Sequence, residues 1–439
     1  MDWLKESITV KLFLIGVLIL VLLIPSSLVE NLINERANRE DDMMRDVSDK
    51  WSGSQLIAGP VLIIPYQKQV KYLDDQQKEK LKFVNDNLYL LPDDLHMKAE
   101  LKTEKLHRGI YDVAVYNTFI KISGNFGKAD LSAINVSVSQ LMLDKAKIVF
   151  SISDLKGLKN TPVVSTGTQN ITATPGFSSD TLFSNALQAP INLSAINNTN
   201  TAFSYDLDLK GSQELSFLHI GKITEVEVNG NWGSPSFDGR YLPETRKVDS
   251  ENFSAKWRML YYYRPFPQQW TGDGSTLTNP TKQANATFGV KLRLPVDQYQ
   301  KTTRTSKYAI LIILLTFISL FLTEIILKNR VHVFNYLLIG AAMIIYYSLL
   351  LSFSEQIGFR AAYLLASVAT VGLITAFIAS LLKNRIASLL FGFILAVFYI
   401  FIYVLVQLED FALMIGSCAL FIIIALLMYF SRKINWDRQ

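Results

Sequence analysis

Five apolar runs, each about 20 residues long, follow one another between Lys307 and Arg432 with only short polar gaps. They read KYAILIILLTFISLFLTEIIL from Lys307, VFNYLLIGAAMIIYYSLLLSF from Val333, AAYLLASVATVGLITAFIASLL from Ala361, IASLLFGFILAVFYIFIYVLVQ from Ile386 and FALMIGSCALFIIIALLMYF from Phe411. About 20 residues at 1.5 Å rise cover a ~30 Å hydrocarbon core. Within that core each backbone amide must be satisfied inside its own segment, so every run is predicted to be a transmembrane helix. Near the N-terminus, Leu12 to Val29 is a further uncharged run, preceded by Lys5 and Lys11. A basic flank before an apolar run also marks a secretory signal. Pro25-Ser26-Ser27 followed by Leu28 is a poor cleavage site, so an uncleaved first span is expected, giving six in all.

Between these blocks the periodicity changes. Glu30 to Lys50 carries sparse apolar positions among many charges and reads as a helix continuing out of the first span, broken at Trp51-Ser52-Gly53-Ser54. From Gln55 to about Arg304 apolar and polar residues alternate, as in Phe203, Tyr205, Leu207, Leu209, in Ala286 to Leu294, in Ile148, Phe150, Ile152, and in Ile134, Val136, Val138. Period two predicts strands with one buried face. Turn residues stand between them at Gly124-Asn125, Pro175-Gly176, Asn229-Gly230-Asn231, Gly233-Ser234-Pro235 and Asp238-Gly239. The expected architecture is a multi-span membrane protein with six transmembrane α-helices, one N-terminal and five C-terminal. Residues 1–29 form the N-terminal tip and first span, and 30–306 a large β-rich domain, one antiparallel module or two. Residues 307–432 form a five-helix bundle and 433–439 a tail.

Composition refines this picture. The 439-residue chain has a mean hydropathy of +0.22 and a net charge of +5. The basic excess flanks the apolar runs, which argues for the lipid bilayer as partner and against nucleic acid. Basic loops (Lys5 and Lys11; Lys328 and Arg330; Lys383 and Arg385; Arg432, Lys433 and Arg438) alternate with acidic or mixed ones (Glu355 with Arg360; Glu409 with Asp410). The positive-inside rule then predicts both termini in the cytoplasm and the β-rich domain outside it. Trp3, Tyr308 and Trp436 stand where an aromatic belt would lie. With Cys418 alone no intrachain disulfide can form, and four scattered histidines offer no zinc cluster. There is no Gly-x-Ser-x-Gly elbow, His-Glu-x-x-His helix or phosphate-binding glycine loop, so no catalytic, cofactor or metal residues are expected.

A few polar positions stand out. Glu324 is the only acidic residue inside an apolar run; it could mark an ion pathway, but Lys328 at i+4 suggests a simple helix-end pair. His332 and Asn335 open the third span, and Glu355 and Arg360 lie in the next hairpin loop, where contacts to the β domain or to lipid head groups are conceivable roles. In the fourth span Ala362, Ala366, Thr370 and a nearby stripe of Gly372, Ala376, Ser380 allow close approach, predicting a central packing helix. Tyr261-Tyr262-Tyr263 before Arg264-Pro265-Phe266-Pro267 reads as a buried strand end and Pro-rich turn, with a glycan site or a membrane-surface contact as the functional alternatives.

The chain also resembles the CreD family. The resemblance rests on Leu23-Ile24-Pro25 with Glu35-Arg36-Ala37, Gly59-Pro60-Val61-Leu62-Ile63-Ile64-Pro65, Gly233-Ser234-Pro235-Ser236-Phe237, and Tyr241-Leu242-Pro243. It continues through Asp297-Gln298-Tyr299-Gln300, Lys307-Tyr308-Ala309-Ile310, Glu324, His332, Tyr336-Leu337-Leu338-Ile339-Gly340 and Leu349 to Glu355 with Gly358-Phe359. The resemblance implies a bacterial inner-membrane protein with a periplasmic domain, linked to cell-envelope integrity under stress and to colicin tolerance. It brings no established catalytic or ligand residues. The expected function is non-catalytic envelope maintenance, with envelope proteins, lipids or glycans as partners of the β domain. A transporter or lipid-handling protein and an envelope-modifying enzyme are the alternatives.

Overall fold

A computed structural model describes residues 8–73, 79–134, 136–167, 169–176, 182–194, 200–294, 298–327, 329–408 and 411–431. The loop and belt residues Trp3, Lys5, Lys328, Glu409, Asp410, Arg432, Lys433, Trp436 and Arg438 lie outside them. Two compact units form, one of residues 42–295 and one of residues 1–41 with 296–439.

Helix α1 (Ile8–Trp51) runs without a break from the first apolar stretch through the charged one, Pro25 included. Pro25 has no N–H, so the ladder loses one bond there without ending. The stop comes where Ser52-Gly53 follows Trp51. Asp154 Oδ2 accepts from Gly53 N at 3.0 Å and from Ser52 Oγ at 3.1 Å, and Gln55 Nε2 donates to Ser52 Oγ, Asp154 O and Lys210 O. The last turns of α1 pack Met44, Val47 and Trp51 around Val113, Val115 and Leu106.

The unit of residues 42–295 is built from two sheets that share one hydrophobic core. One runs Pro235–Gly239, Thr287–Leu292, Glu214–Leu218, Gln55–Leu73, Ala146–Ile152, Ala186–Ile191 and Thr174–Pro175, with Glu79–Leu90 and Gln269–Thr271 to one side. The other runs Thr245–Val248, Phe253–Leu260, Ile223–Gly230, Asp94–Arg108, Tyr111–Phe126, Thr201–Ser212, Val163–Ser165 and Asn170–Thr172. Phe203, Tyr205, Leu207 and Leu209 all point into the core, where Tyr205 stacks on Phe150 of the facing sheet at 4.3 Å.

The sheets are mixed and not purely antiparallel. Gln55–Ile57 pairs parallel with Leu215–Phe217, and Ile223–Gly230 pairs parallel with Asp94–Leu101. Alternation fixes which face is buried but not the direction of the neighbouring strand. Two further expectations fail locally. Ile134, Val136 and Val138 form no strand; 3-10 turns at Ser132–Ile134 and Val138–Gln140 replace it. Asp130 Oδ1 accepts from Ser132 N, and Ser137 and Gln140 cap one another, so side chains compete with the ladder. Gly124-Asn125 is no turn but part of the strand Tyr111–Phe126. A Cβ on Gly124 would lie 2.0 Å from Asp94 O, so glycine serves close strand approach there.

Two single turns, α2 (Ser275–Thr278) and α3 (Pro280–Ala284), precede the last strand, which ends at Leu292. The region up to Arg304 expected to be β is instead helix α4 (Gln298–Lys307), burying Tyr299, Thr302, Thr305 and Ser306. Then follow α5 (Ala309–Leu327), α6 (Val333–Ile357), α7 (Phe359–Leu382), α8 (Arg385–Gln407) and α9 (Ala412–Ser431). Helices α1, α5, α6, α7 and α8 are long and apolar enough to cross a bilayer; α9 carries a shorter apolar stretch, Met414–Ala425.

Helix α7 packs against both α6 and α8. Its buried row is Ala362, Ala366 and Thr370, continued at the same spacing by Ile374, Ile378 and Leu382. The second small stripe, Gly372, Ala376 and Ser380, is exposed and does not pack. Steps of four keep one face toward the neighbours, and that second stripe turns away from it.

Candidate functional site

Two clusters of paired polar side chains stand in the helical unit, one at each end of α6. In the first, Lys11 near the start of α1 donates to Glu324 Oε1 and to Val331 O, the latter at 2.6 Å. Tyr336 OH donates to the other carboxylate oxygen, Oε2, at 3.1 Å, and the Lys11 ammonium stands 5.7 Å from the Tyr336 ring centre. Only 21% of the Lys11 side chain and 9% of Glu324 is exposed, which makes this a nearly dry ion pair. Close by, Asn329 Nδ2 donates to Leu382 O at 3.1 Å and ties the loop after α5 to the end of α7.

The second cluster centres on Glu355 at the other end of α6. Tyr299 OH of α4 donates to Glu355 Oε1 at 2.9 Å, and Arg36 Nε of α1 lies 3.9 Å from the same oxygen. From Lys11 to Arg36 the helix rises roughly 37 Å, and from Tyr336 to Glu355 roughly 28 Å. The clusters therefore bracket a layer about as thick as a hydrocarbon core.

Between them the described interior is aromatic and hydroxylic. Tyr346 meets the rings of Tyr363 and Tyr399 edge-on at 6.0 and 4.9 Å, and Tyr363 OH donates to Tyr399 O at 2.7 Å. No described carboxylate or cation joins the two clusters through this layer, so it packs the helices and offers no charged relay.

The five polar positions singled out in the sequence thus separate. Glu324 and Glu355 each anchor a cluster. The expected partner Lys328 lies outside the described residues, and the cation on Glu324 is Lys11, which approaches through the fold from 313 residues away. His332 caps α6, its Nδ1 accepting from Phe334 N at 3.2 Å, and Asn335 is half-buried in the first turn beside it. Arg360 is exposed beyond Gly358. Lys11, Arg36, Tyr299 and Tyr336 escaped sequence reasoning. The signal available was a lysine and an arginine on one helix whose separation matches the membrane thickness.

In the β unit the tyrosine run is not a buried strand end. Tyr261–Tyr263 forms a 3-10 turn with the three rings 48%, 75% and 60% exposed. Arg264 behind it is buried and has three hydrogen bonds, from Nε to Phe266 O, from Nη1 to Ile220 O and from Nη2 to Gln268 Oε1. Burial pulls its pKa down to about 10, leaving it cationic at neutral pH. His219 is wholly buried, with Nδ1 at 3.0 Å from Thr224 Oγ1 and Nε2 at 3.1 Å from Leu260 O. Burial, reinforced by the Arg264 charge against the carbonyl's opposing pull, lowers its pKa to about 4. The described residues hold no group of His, Cys, Asp and Glu suited to a metal.

A family model described as "Inner membrane protein CreD" matches residues 7–437. The protein named "Inner membrane protein CreD" from Escherichia coli (strain K12) is 29% identical over 421 residues, covering 95% of this chain and 91% of that protein. Long apolar helices before and after a β unit in the sequence, and a match across nearly the whole length, agree: the chain belongs to the CreD family of multi-pass inner membrane proteins.

Proposed function

We propose that this chain maintains the integrity of the cell envelope without catalysis, and that its β unit does so from the periplasmic side. The observation that carries the orientation is the pair of polar clusters. Lys11, Val331 and Tyr336 share one end of the helical unit, and the described junctions at that end carry Arg330 and Lys383, with Arg385 opening α8. At the Glu355 end Arg360 is the one cation of the junction between α6 and α7, and the sequence after Gln407 is acidic. The positive-inside rule puts the Lys11 end in the cytoplasm. Both termini on that side require an even number of crossings, so α9 is the sixth.

In this reading Glu324 and Glu355 are clasps holding α1 to the other helices at the two interfaces. His332 and Asn335 begin the third span on the cytoplasmic side, and Arg360 faces the periplasm with the β unit. Each carboxylate is already engaged by a cation and a tyrosine hydroxyl, which supports a structural role over proton transfer. A deletion strain tests the function: it should become detergent-sensitive with an unchanged lipid profile, and the intact gene should restore resistance. An altered lipid composition with intact barrier function would instead favour transport or lipid handling.

A further inference from the structure

A cavity of about 620 Å³ opens on the β unit beside the exposed tyrosine turn, with Lys222, Tyr261, Tyr262, Arg264 and Phe266 on its wall. Its features do not follow from folding alone. Tyr262 is 75% exposed and its ring overlaps that of Tyr261, centres 4.1 Å apart and planes tilted by 35°, so the stacked pair presents an outer aromatic face, a surface platform that the core does not use. Arg264 is buried against carbonyl oxygens, with no carboxylate within ion-pair distance among the described residues. A guanidinium has five N–H groups, and three of these are occupied. Lys222 adds a second cation, paired with Asp93 at 2.8 Å; Asp93 also accepts from Gln268 Nε2 at 3.0 Å. One carboxylate against two cations leaves the cavity net positive.

We propose that this cavity binds an anionic saccharide, with a sugar ring stacked on the Tyr261–Tyr262 platform and its carboxylate or phosphate reaching Arg264 and Lys222. Flat aromatic faces match the C–H face of a pyranose, and a guanidinium fork matches carboxylate and phosphate geometry. A bare inorganic anion would leave the platform unused, and a neutral sugar would leave the cations unanswered. The inference does not depend on which side of the membrane the β unit faces.

The test uses the full chain in nanodiscs, titrated by saturation-transfer NMR with glucuronate, glucose 6-phosphate, glucose and inorganic phosphate. Both acidic sugars should bind, with glucose and phosphate each weaker by about tenfold or more. Tyr262→Ala, at an exposed position that cannot unfold the core, should weaken acidic-sugar binding about tenfold, as should Lys222→Gln. Displacement of glucuronate by a glucuronosyl lipid placed in the disc would assign the saccharide to a lipid head group. Failure to displace would assign it to a free or polymeric glycan. Phosphate binding as tightly as glucose 6-phosphate, no binding of either acidic sugar, or binding untouched by both substitutions would overturn the proposal.

Discussion

Lys11 in the helical unit and Arg264 in the β unit are both cations removed from water, and the two regions neutralise them by different means. Lys11 meets a formal charge, Glu324, together with one backbone carbonyl. Arg264 meets two backbone carbonyls and an amide oxygen. The difference follows from the backbone available. A helix consumes its own carbonyls and releases them only at its last turn, so a cation beside a span needs a carboxylate or a carbonyl from outside the helices, and Lys11 has both in Glu324 and the loop carbonyl of Val331. Loops between strands expose carbonyls freely and can surround a guanidinium without a counter-ion. His219, fixed by Thr224 and the Leu260 carbonyl, extends the same logic by staying neutral.

The largest expected effect breaks the first arrangement. Glu324→Ala leaves Lys11 nearly dry and unpaired and should cost roughly 3 kcal/mol, the lower end for a broken buried pair because Lys11 keeps some solvent. The double variant Lys11→Met/Glu324→Leu should lose less than either single change. Thermal unfolding in detergent micelles reads both, and a double-variant loss equal to the sum of the two single losses would show that the pair is not coupled.

Next comes the pH response of the β unit. Folded His219 holds its proton only below about 4, while the unfolded chain takes it up near 6.5. The unfolded state thus binds more protons in that window, and stability should fall by on the order of 2–3 kcal/mol as pH drops from 6.5 to 4. Near-UV circular dichroism of the buried Trp257 environment follows this, and His219→Asn should flatten the slope. An unchanged slope would move the pH dependence elsewhere.

Smaller effects separate the two ends of the helical unit. Tyr336→Phe removes a hydrogen bond to a carboxylate and should cost about 1 kcal/mol. Arg36→Ala should cost less than about 0.5 kcal/mol, since its contact with Glu355 is long and part-exposed. Reversal of that order, again by thermal unfolding, would make the Glu355 end the stronger clasp.

The same contrast explains what the sequence revealed. Runs of about 20 apolar residues leave the backbone no choice but helix, so α1 and α5 to α8 were legible, as was the charged continuation of α1 to Trp51. Long alternation such as Phe203 to Leu209 was equally plain. Three alternating residues at Ile134, Val136 and Val138 were too few to outweigh the capping side chains of Asp130 and Gln140. Helix α4 was hidden because its buried face is Tyr299, Thr302, Thr305 and Ser306, which no apolar pattern marks. Glu324 was visible as an oddity, but its partner lies 313 residues away, a distance that local spacing cannot bridge. The exposure of Tyr262 depends on a 3-10 turn that strand periodicity disguised.

The central claim is that the β unit faces the periplasm while the Lys11 end faces the cytoplasm. Single-cysteine labelling of intact cells with a membrane-impermeant maleimide tests it, in a Cys418→Ser background that removes the one native thiol. Lys247→Cys, on an exposed strand of the β unit, and Arg360→Cys should label before lysis, and Lys383→Cys only after permeabilisation. Labelling of Lys383→Cys in intact cells, with Lys247→Cys protected, would contradict the account.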